Sequence, residues 1–144
     1  MITSKLKTAL DTAGCTLILY ESDKLANLLT DQSHSHDIIG LIIQPNSVTL
    51  EIKANAIIEH YKLEHVEILK QVRLEDPAET NEAVLEALLL ICKKFITQII
   101  LSGDFKKIIT LELTKVIETR YDANVIGWSI PMDLFYLYNE NCFE

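Results

Sequence analysis

The fold of this chain is decided by residues 76–103, which read DPAETNEAVLEALLLICKKFITQIILSG. Asp76 is a typical helix N-cap, Pro77 stands at the first helical position, and Glu79 completes a capping-box spacing. Gly103 provides a C-terminal stop. The stretch therefore predicts one long helix, ~40 Å from end to end, whose apolar stripe is wide enough to cover a sheet. The residues expected to face inward are Val84, Leu85, Leu88, Leu89, Ile91, Cys92, Phe95, Ile96, Ile99 and Ile100.

Length and composition set bounds on the rest of the chain. With 144 residues it has the size of one domain, and we expect a single domain over residues 1–144. Hydrophobic residues make up 49% of it, so either the core is large or some apolar surface is covered by partners. The net charge of -8 disfavours a surface that tracks nucleic-acid phosphates. The three cysteines form no CxxC pair, and we see neither a signal-peptide layout nor a membrane-length apolar run, which predicts reduced thiols and synthesis in the cytoplasm.

Before the long helix, the sequence predicts a short helix and several strands. The short helix covers 5–13 and ends at Gly14. Its inner face is formed by Leu6, Ala9, Leu10 and Ala13. A β-rich run follows at 15–20, and the pattern of 21–29 fits a helical turn as well as a strand. The polar segment 30–37, TDQSHSHD, is typical of a loop.

The next part of the chain alternates between apolar and polar residues. Two runs, 38–44 and 47–54, predict a β-hairpin with each other. A further strand signal at 56–61 leads into 64–74, where Lys70 interrupts the inner row and indicates a strand end or a bulge. The inner row expected there is Val66, Ile68, Val72 and Leu74.

After the long helix, the alternation predicts two closing strands, at 108–120 and 125–138, joined by a polar turn at 121–124. Pro131 has no backbone N–H, so the part of the last strand around it should lie at a sheet edge. The expected inner rows are Ile109, Leu111, Leu113 and Ile117 on the first strand, and Ile126, Trp128, Ile130, Met132, Leu134, Tyr136 and Tyr138 on the second. Together these patterns predict an α+β fold: a mostly antiparallel, meander-like sheet with one long helix packed across one face and a short N-terminal helix.

Candidate chemistry is confined to one polar loop. His34 and His36, with Asp31 and Asp37 beside them, form the one cluster of possible metal ligands in the sequence. Such a loop is more often simply solvated, so we predict no metal site, and a small metal-dependent hydrolase built on His34 and His36 is the remote alternative. Cys92 is expected in the core. No phosphate-binding glycine motif or nucleophile elbow is present, so we predict no catalytic or cofactor-binding residue and a protein that is not an enzyme.

The remaining features concern association. Leu90 and Leu101 fall on the polar side of the long helix, where a monomer would prefer charged residues. The aromatic residues of the last strand fit either a core or a contact surface, because Tyr and Trp are enriched at interfaces. The candidate interface residues are Glu86, Leu90, Lys93, Thr97, Leu101, Trp128, Phe135 and Tyr136.

A family resemblance adds to this reading. Residues 120–132, RYDANVIGWSIPM, place a polar turn before a glycine and an alternating strand. This ending, together with the chain length, the short first helix and the one long helix after mid-chain, resembles the tail terminator or tail-completion proteins of tailed bacteriophages. Those are minor structural proteins of the head-tail junction. The resemblance implies a ring, commonly hexameric, that stops growth of the tail tube and joins it to the head connector.

The same resemblance implies partners and a location. The partners would be further copies of this chain, the tail-tube protein and a head-connector or neck protein, with DNA passing through the bore without specific binding and no membrane involved. The protein would reside in the virion after synthesis in the host cytoplasm, and it would carry no catalytic residue. The alternative is a neck or adaptor ring component, or a general oligomeric interaction domain.

Overall fold

The computed structural model describes residues 2–20, 36–43, 49–53, 56–72, 78–102, 111–120 and 123–138. Within these residues the helices are α1 (Ile2–Ala13) and α2 (Ala78–Ser102). The strands are β1 (Leu17–Tyr20), β2 (Ile39–Ile43), β3 (Thr49–Lys53), β4 (Ala56–Gln71), β5 (Thr114–Arg120) and β6 (Ala123–Tyr138). The predicted α+β class, with one long helix and a short N-terminal helix, is confirmed.

All six described strands belong to one sheet, in which β4 and β6 are the central pair. The main order is β1-β2-β4-β6-β5, and β3 pairs with the first half of β4. A register shift between Tyr61 and Glu64 divides β4 into two parts. We call residues 64–71 of β4, with their neighbouring strands and both helices, the body. The arm is β3 together with residues 56–61 of β4 and 134–138 of β6.

The connectivity differs from a simple meander in two places. The predicted hairpin between 38–44 and 47–54 is wrong: β2 pairs with the second half of β4, and β3 pairs with the first half. A strand of 16 residues is long enough to serve both, so β2 and β3 lie end to end along one side of it. In addition, β1 and β2 are parallel. Of the two alternatives expected at Lys70, the bulge is wrong because Lys70 pairs regularly with Ile126, whereas the strand end is close to the observed one, since β4 ends at Gln71.

The first helix ends as its sequence predicts. Gly14 adopts a φ of 116°, which favours glycine because it has no Cβ. Its amide donates to the Asp11 carbonyl (3.2 Å), and the Cys15 amide donates to the Leu10 carbonyl (3.1 Å), which is the Schellman pattern. This turn directs the chain into β1. There the Thr16 hydroxyl donates to Asp37 Oδ1 and accepts from the Ile38 amide, both at 2.9 Å, which fixes the start of the parallel pair.

The first core cluster lies between the helices and one face of the sheet. It joins the inner faces of both helices to β2, β4 and β6. The fully or almost fully buried members are Leu6, Leu10, Ile42, Val66, Ile68, Leu88, Cys92, Phe95, Ile99 and Ile130. The predicted inner face of α1 is confirmed, as are Leu85, Leu88, Cys92, Phe95 and Ile99 of α2. One inward assignment is wrong: Ile100 is 55% exposed, because its position falls on the edge of the stripe that faces away from the sheet.

A second core cluster lies on the opposite face of the same sheet, which the sequence did not predict. It consists of Leu19, Ile39, Leu41, Leu69 and Val125. Two polar residues on this face, Glu67 and Gln71, are also buried. The sheet of the body is therefore buried on both faces, which accounts for the nearly continuous apolar run of β2, IGLII.

The closing strands show how register decides burial. Val116, expected outside, packs on the second cluster, whereas Ile117, expected inside, is 66% exposed. Val116 pairs with Gly127, so it takes the face of Leu69 rather than that of Ile68. The described part of β5 pairs with β6 only as far as Ser129. Among the described residues, Pro131 therefore pairs with β4 on one side and with no strand on the other, which is the edge position predicted from its missing N–H.

Gly127 of β6 leaves no room for a side chain next to β4. A Cβ added there would overlap the Ile68 carbonyl oxygen and lie 2.9 Å from the Leu69 Cα, so backbone would have to move. We expect Gly127→Ala to lower the free energy of unfolding by about 2–3 kcal/mol, measured by urea denaturation. Gly40→Ala is the matched control, because its nearest atoms are the side-chain tips of Leu10 and Cys15 at 3.0 and 3.3 Å. Equal losses in the two variants would contradict this account.

Candidate interaction surface

The outer face of α2 presents the first group of predicted interface residues. Glu86, Leu90, Lys93, Thr97 and Leu101 are all exposed, and we call this set the α2 outer surface. Leu90 is 54% and Leu101 72% exposed. The Thr97 hydroxyl donates to the Lys93 carbonyl at 2.8 Å, so this hydroxyl has a hydrogen-bond acceptor within the helix. The surface is thus two leucines in a polar surround on a rigid helix, an arrangement suited to contact with another protein.

A groove continues this surface towards α1. It has a volume of about 380 Å³ and lies between α1 and the last turn of α2. Its apolar lining comes from Ala9, Ile99 and Leu101, and its polar lining includes Lys5 and Gln98. Since Leu101 belongs to both, the groove and the α2 outer surface form one continuous area.

Trp128 has a structural role inside the chain. Its indole N–H donates to the Leu85 carbonyl at 2.9 Å, and the ring is partly buried against the first core cluster. It therefore fastens α2 to β6. For the other two predicted aromatic residues, the structure gives register alone: Phe135 pairs with His60 and Tyr136 with Glu59, in the arm.

Three exposed aliphatic residues on strands were not predicted as interface residues. Leu50 and Ile52, on β3, are 56% and 76% exposed, and Ile117, on β5, is 66% exposed. Their alternation was the signal for a strand, and it suggested that they face a core. The pattern does not reveal whether another layer covers the strand, so their exposure could not be found from the sequence.

The predicted polar loop is described only at its end. His36 is exposed, and Asp37 accepts a hydrogen bond from Thr16. Asp31 and His34 lie outside the described residues. Within the part of the chain that the structure describes, no three His, Cys, Asp or Glu side chains are grouped closely enough to hold a metal ion.

The two described cysteines are buried as predicted for Cys92. Both lie in the first core cluster, and burial raises the pKa of each thiol from 9.0 to about 12, with a smaller contribution from Asp11 at Cys15 and from Cys15 at Cys92. A thiol with so high a pKa stays protonated at neutral pH, and the thiolate is the reactive form. Cys15 and Cys92 are therefore core residues rather than activated nucleophiles.

Comparisons with known proteins add no family. No protein-family model matches the chain, and no curated protein matches its sequence significantly. Among the described residues, neither helix combines the length and apolarity that a membrane crossing requires.

The raised thiol pKa values predict a pH dependence of stability. Below pH 9 both thiols are protonated in the folded and unfolded states; between pH 9 and 12 the unfolded chain releases protons that the folded chain retains. The free energy of unfolding should therefore fall as pH rises, by about 1 kcal/mol per thiol at pH 10. Urea denaturation at pH 8 and pH 10 measures this, and Cys15→Ala with Cys92→Ala should remove that part of the fall. An unchanged pH dependence in the double variant would contradict the assignment.

Proposed function

We propose that the protein is a non-enzymatic virion protein of a tailed bacteriophage that forms a ring of identical subunits at the head-tail junction and terminates the tail tube. The observation that carries the proposal is the exposure of large aliphatic side chains on two separate parts of the molecule, α2 and the outer strands of the sheet. The resemblance of residues 120–132 to the tail terminator group supplies the biological setting.

Ring closure requires two different surfaces on each subunit. In a heterologous contact, one surface of a subunit meets the other surface of the next, and the chain of contacts closes when the rotation allows it. The α2 outer surface and the outer strands β3 and β5 lie on different elements, as such a contact requires. A symmetric dimer, by contrast, needs only one self-complementary patch.

Leu90 and Leu101 provide the apolar area that a contact on α2 would bury. Burying a leucine side chain contributes about 1.5–3 kcal/mol, and each of these residues leaves more than half of its surface in water in the isolated chain. Stable contacts bury ~800 Å² per partner. The α2 outer surface and the adjoining groove provide apolar atoms at the centre and polar atoms at the rim, which is the usual composition of such a contact.

The charge of the chain fits the same proposal. A net charge of -8 repels the DNA that would pass through the bore, so DNA is not held there. The partners in this setting are further copies of the chain, the tail-tube protein on one side and the head connector on the other. The α2 outer surface is assigned to the subunit contact.

The proposal predicts that the chain assembles into rings, alone or when mixed with the tail-tube protein. We expect Leu90→Glu with Leu101→Glu to shift the assembly to smaller species, because two charges would have to be buried in each contact. Light scattering after size exclusion and negative-stain electron microscopy measure the assembly. Thr80→Glu is the matched control, as it adds a charge at an exposed position in the first turn of the same helix, distant from Leu90 and Leu101. A wild-type chain that stays monomeric under both conditions, or a double variant that assembles normally, contradicts the proposal.

A further inference from the structure

The two outer strands that carry exposed aliphatic residues lie at opposite sides of the sheet. Among the described residues, β3 pairs with β4 and β5 pairs with β6, each through one side. Because β4 and β6 are adjacent at the centre, β3 and β5 face away from each other. The sheet thus has an outer edge at β3 in the arm and another at β5 in the body, besides the edges formed by β1 and by the part of β6 beyond Ser129 among the described residues.

The direction of the backbone groups at these edges follows from one hydrogen bond. The Val72 amide donates to the Asn124 carbonyl at 2.9 Å, so Asn124 points its backbone groups towards β4. In an antiparallel ladder this direction alternates from residue to residue. Gly127 is an odd number of residues from Asn124, so its backbone groups point towards β5. Those of its partner, Val116, therefore point towards β6, and those of Ile117 point outwards.

The same count applies to the arm. Tyr136 and Tyr138 occupy even positions of β6, so their backbone N–H and C=O groups point towards β4. The backbone groups of their partners, Glu59 and Ile57, point back towards β6. Ile58 of β4 therefore turns its backbone groups towards Glu51 of β3. The residues between these positions, Leu50 and Ile52, turn theirs outwards.

The exposed aliphatic residues are thus the residues whose backbone groups point out of the sheet. Leu50, Ile52 and Ile117 combine an outward N–H and C=O with a side chain that is more than half exposed. Proteins usually protect such an edge with lysine, proline or a bulge at these positions, because it can pair with a strand of another molecule. An edge with aliphatic residues there is suited to receive one.

We infer that neighbouring copies join by strand addition, with β3 of one copy pairing antiparallel to β5 of the next. This rests on the proposed ring and adds a strand-to-strand contact between neighbours to the contact assigned to the α2 outer surface. The direction follows from the topology: β3 and β6 both run antiparallel to β4, and β5 runs antiparallel to β6. Copies placed side by side with their helices on the same face therefore bring β3 and β5 together in opposite directions.

The sequence favours one register for this ladder. With Leu50 opposite Ile117, Glu51 lies beside Val116 and Thr49 beside Glu118, so no like charges face each other. A shift that puts Ile52 opposite Ile117 would set Glu51 against Glu118, which is unfavourable. Pairing β3 with β3 of a second copy in full overlap would likewise set Glu51 against Glu51. The heterologous register is therefore preferred over this fully overlapped β3–β3 pairing.

Proline at an outward position tests the inference without breaking the chain's own ladder. Proline removes the N–H, and at residues 52 and 117 that N–H points away from the intramolecular partner. We expect Ile52→Pro and Ile117→Pro each to convert rings to monomers, with the circular dichroism spectrum and melting temperature close to those of the wild type. Ile52→Thr and Ile117→Thr are the matched controls: they keep the N–H and should retain assembly to a greater extent than the proline variants.

Mixing the two proline variants tests the direction of the contact. Ile52→Pro keeps an intact β5 edge and Ile117→Pro keeps an intact β3 edge, so an equimolar mixture should give a heterodimer that cannot grow further. Native mass spectrometry identifies it. Rings in both proline variants, or a mixture that stays monomeric, overturn the inference while the ring proposal stands. A wild type that is monomeric alone and with tail-tube protein overturns both.

Disulfide trapping provides a measurement that does not depend on proline. In the favoured register, residues 50 and 117 form a hydrogen-bonded pair with Cα atoms ~5.5 Å apart, within disulfide reach. Leu50→Cys with Ile117→Cys in one chain should give a ladder of cross-linked subunits on a non-reducing gel after mild oxidation. Either single variant should give no more cross-linking than the wild type. Dimers from a single variant would indicate a symmetric contact and overturn the inference.

Discussion

The structure depends on the packing of α2 across the central strands. Phe95, Cys92 and Ile99 have almost no exposed surface, and they meet Val66 and Ile130 from the sheet in one cluster. The same cluster takes up Leu6 and Leu10, so α1 is held by α2 as well as by the sheet. Trp128 adds a directed hydrogen bond to the Leu85 carbonyl at one end of this contact. Because the helix is fixed along its inner side, its outer side presents a rigid and defined set of residues.

The two halves of the long strands differ in burial. In the body, the strands are buried on both faces, since the second cluster lies behind the sheet. In the arm, the four described side chains 49–52 on β3 are all exposed. The body therefore contains the core that keeps the chain folded, whereas β3 in the arm leaves Leu50 and Ile52 exposed. The bulge between Tyr61 and Glu64 lies at the boundary.

Local signals predicted the helices and most strand positions, whereas strand partners and faces required the structure. The caps and periodicity of α2 and the Gly14 stop of α1 act over a few residues, so the sequence contains them directly. The partner of β3 does not depend on its own residues but on the length of β4. Which face of the sheet Val116 takes depends on its pairing with Gly127. Glu67 and Gln71 are polar although buried, so the sequence of β4 suggested a strand with only one buried face. For the candidate surface, the outward position of Leu90 and Leu101 follows from helix geometry, while the exposure of Leu50, Ile52 and Ile117 depends on which of the described elements pack on each strand, which the strand's own sequence does not show.

The central ladder has a consequence for how the protein forms. It joins residues 57–71 to residues 125–138, with the whole of α2 in between, so the two strands are far apart along the chain. Contacts of this kind require closing a long loop before they gain any stabilisation, which slows folding. During synthesis, β4 must emerge from the ribosome well before β6 exists to pair with it. Newly made chains therefore pass through a stage in which β4 lacks its main neighbour, and the pairing of β4 with β6 is expected to be a late step of folding.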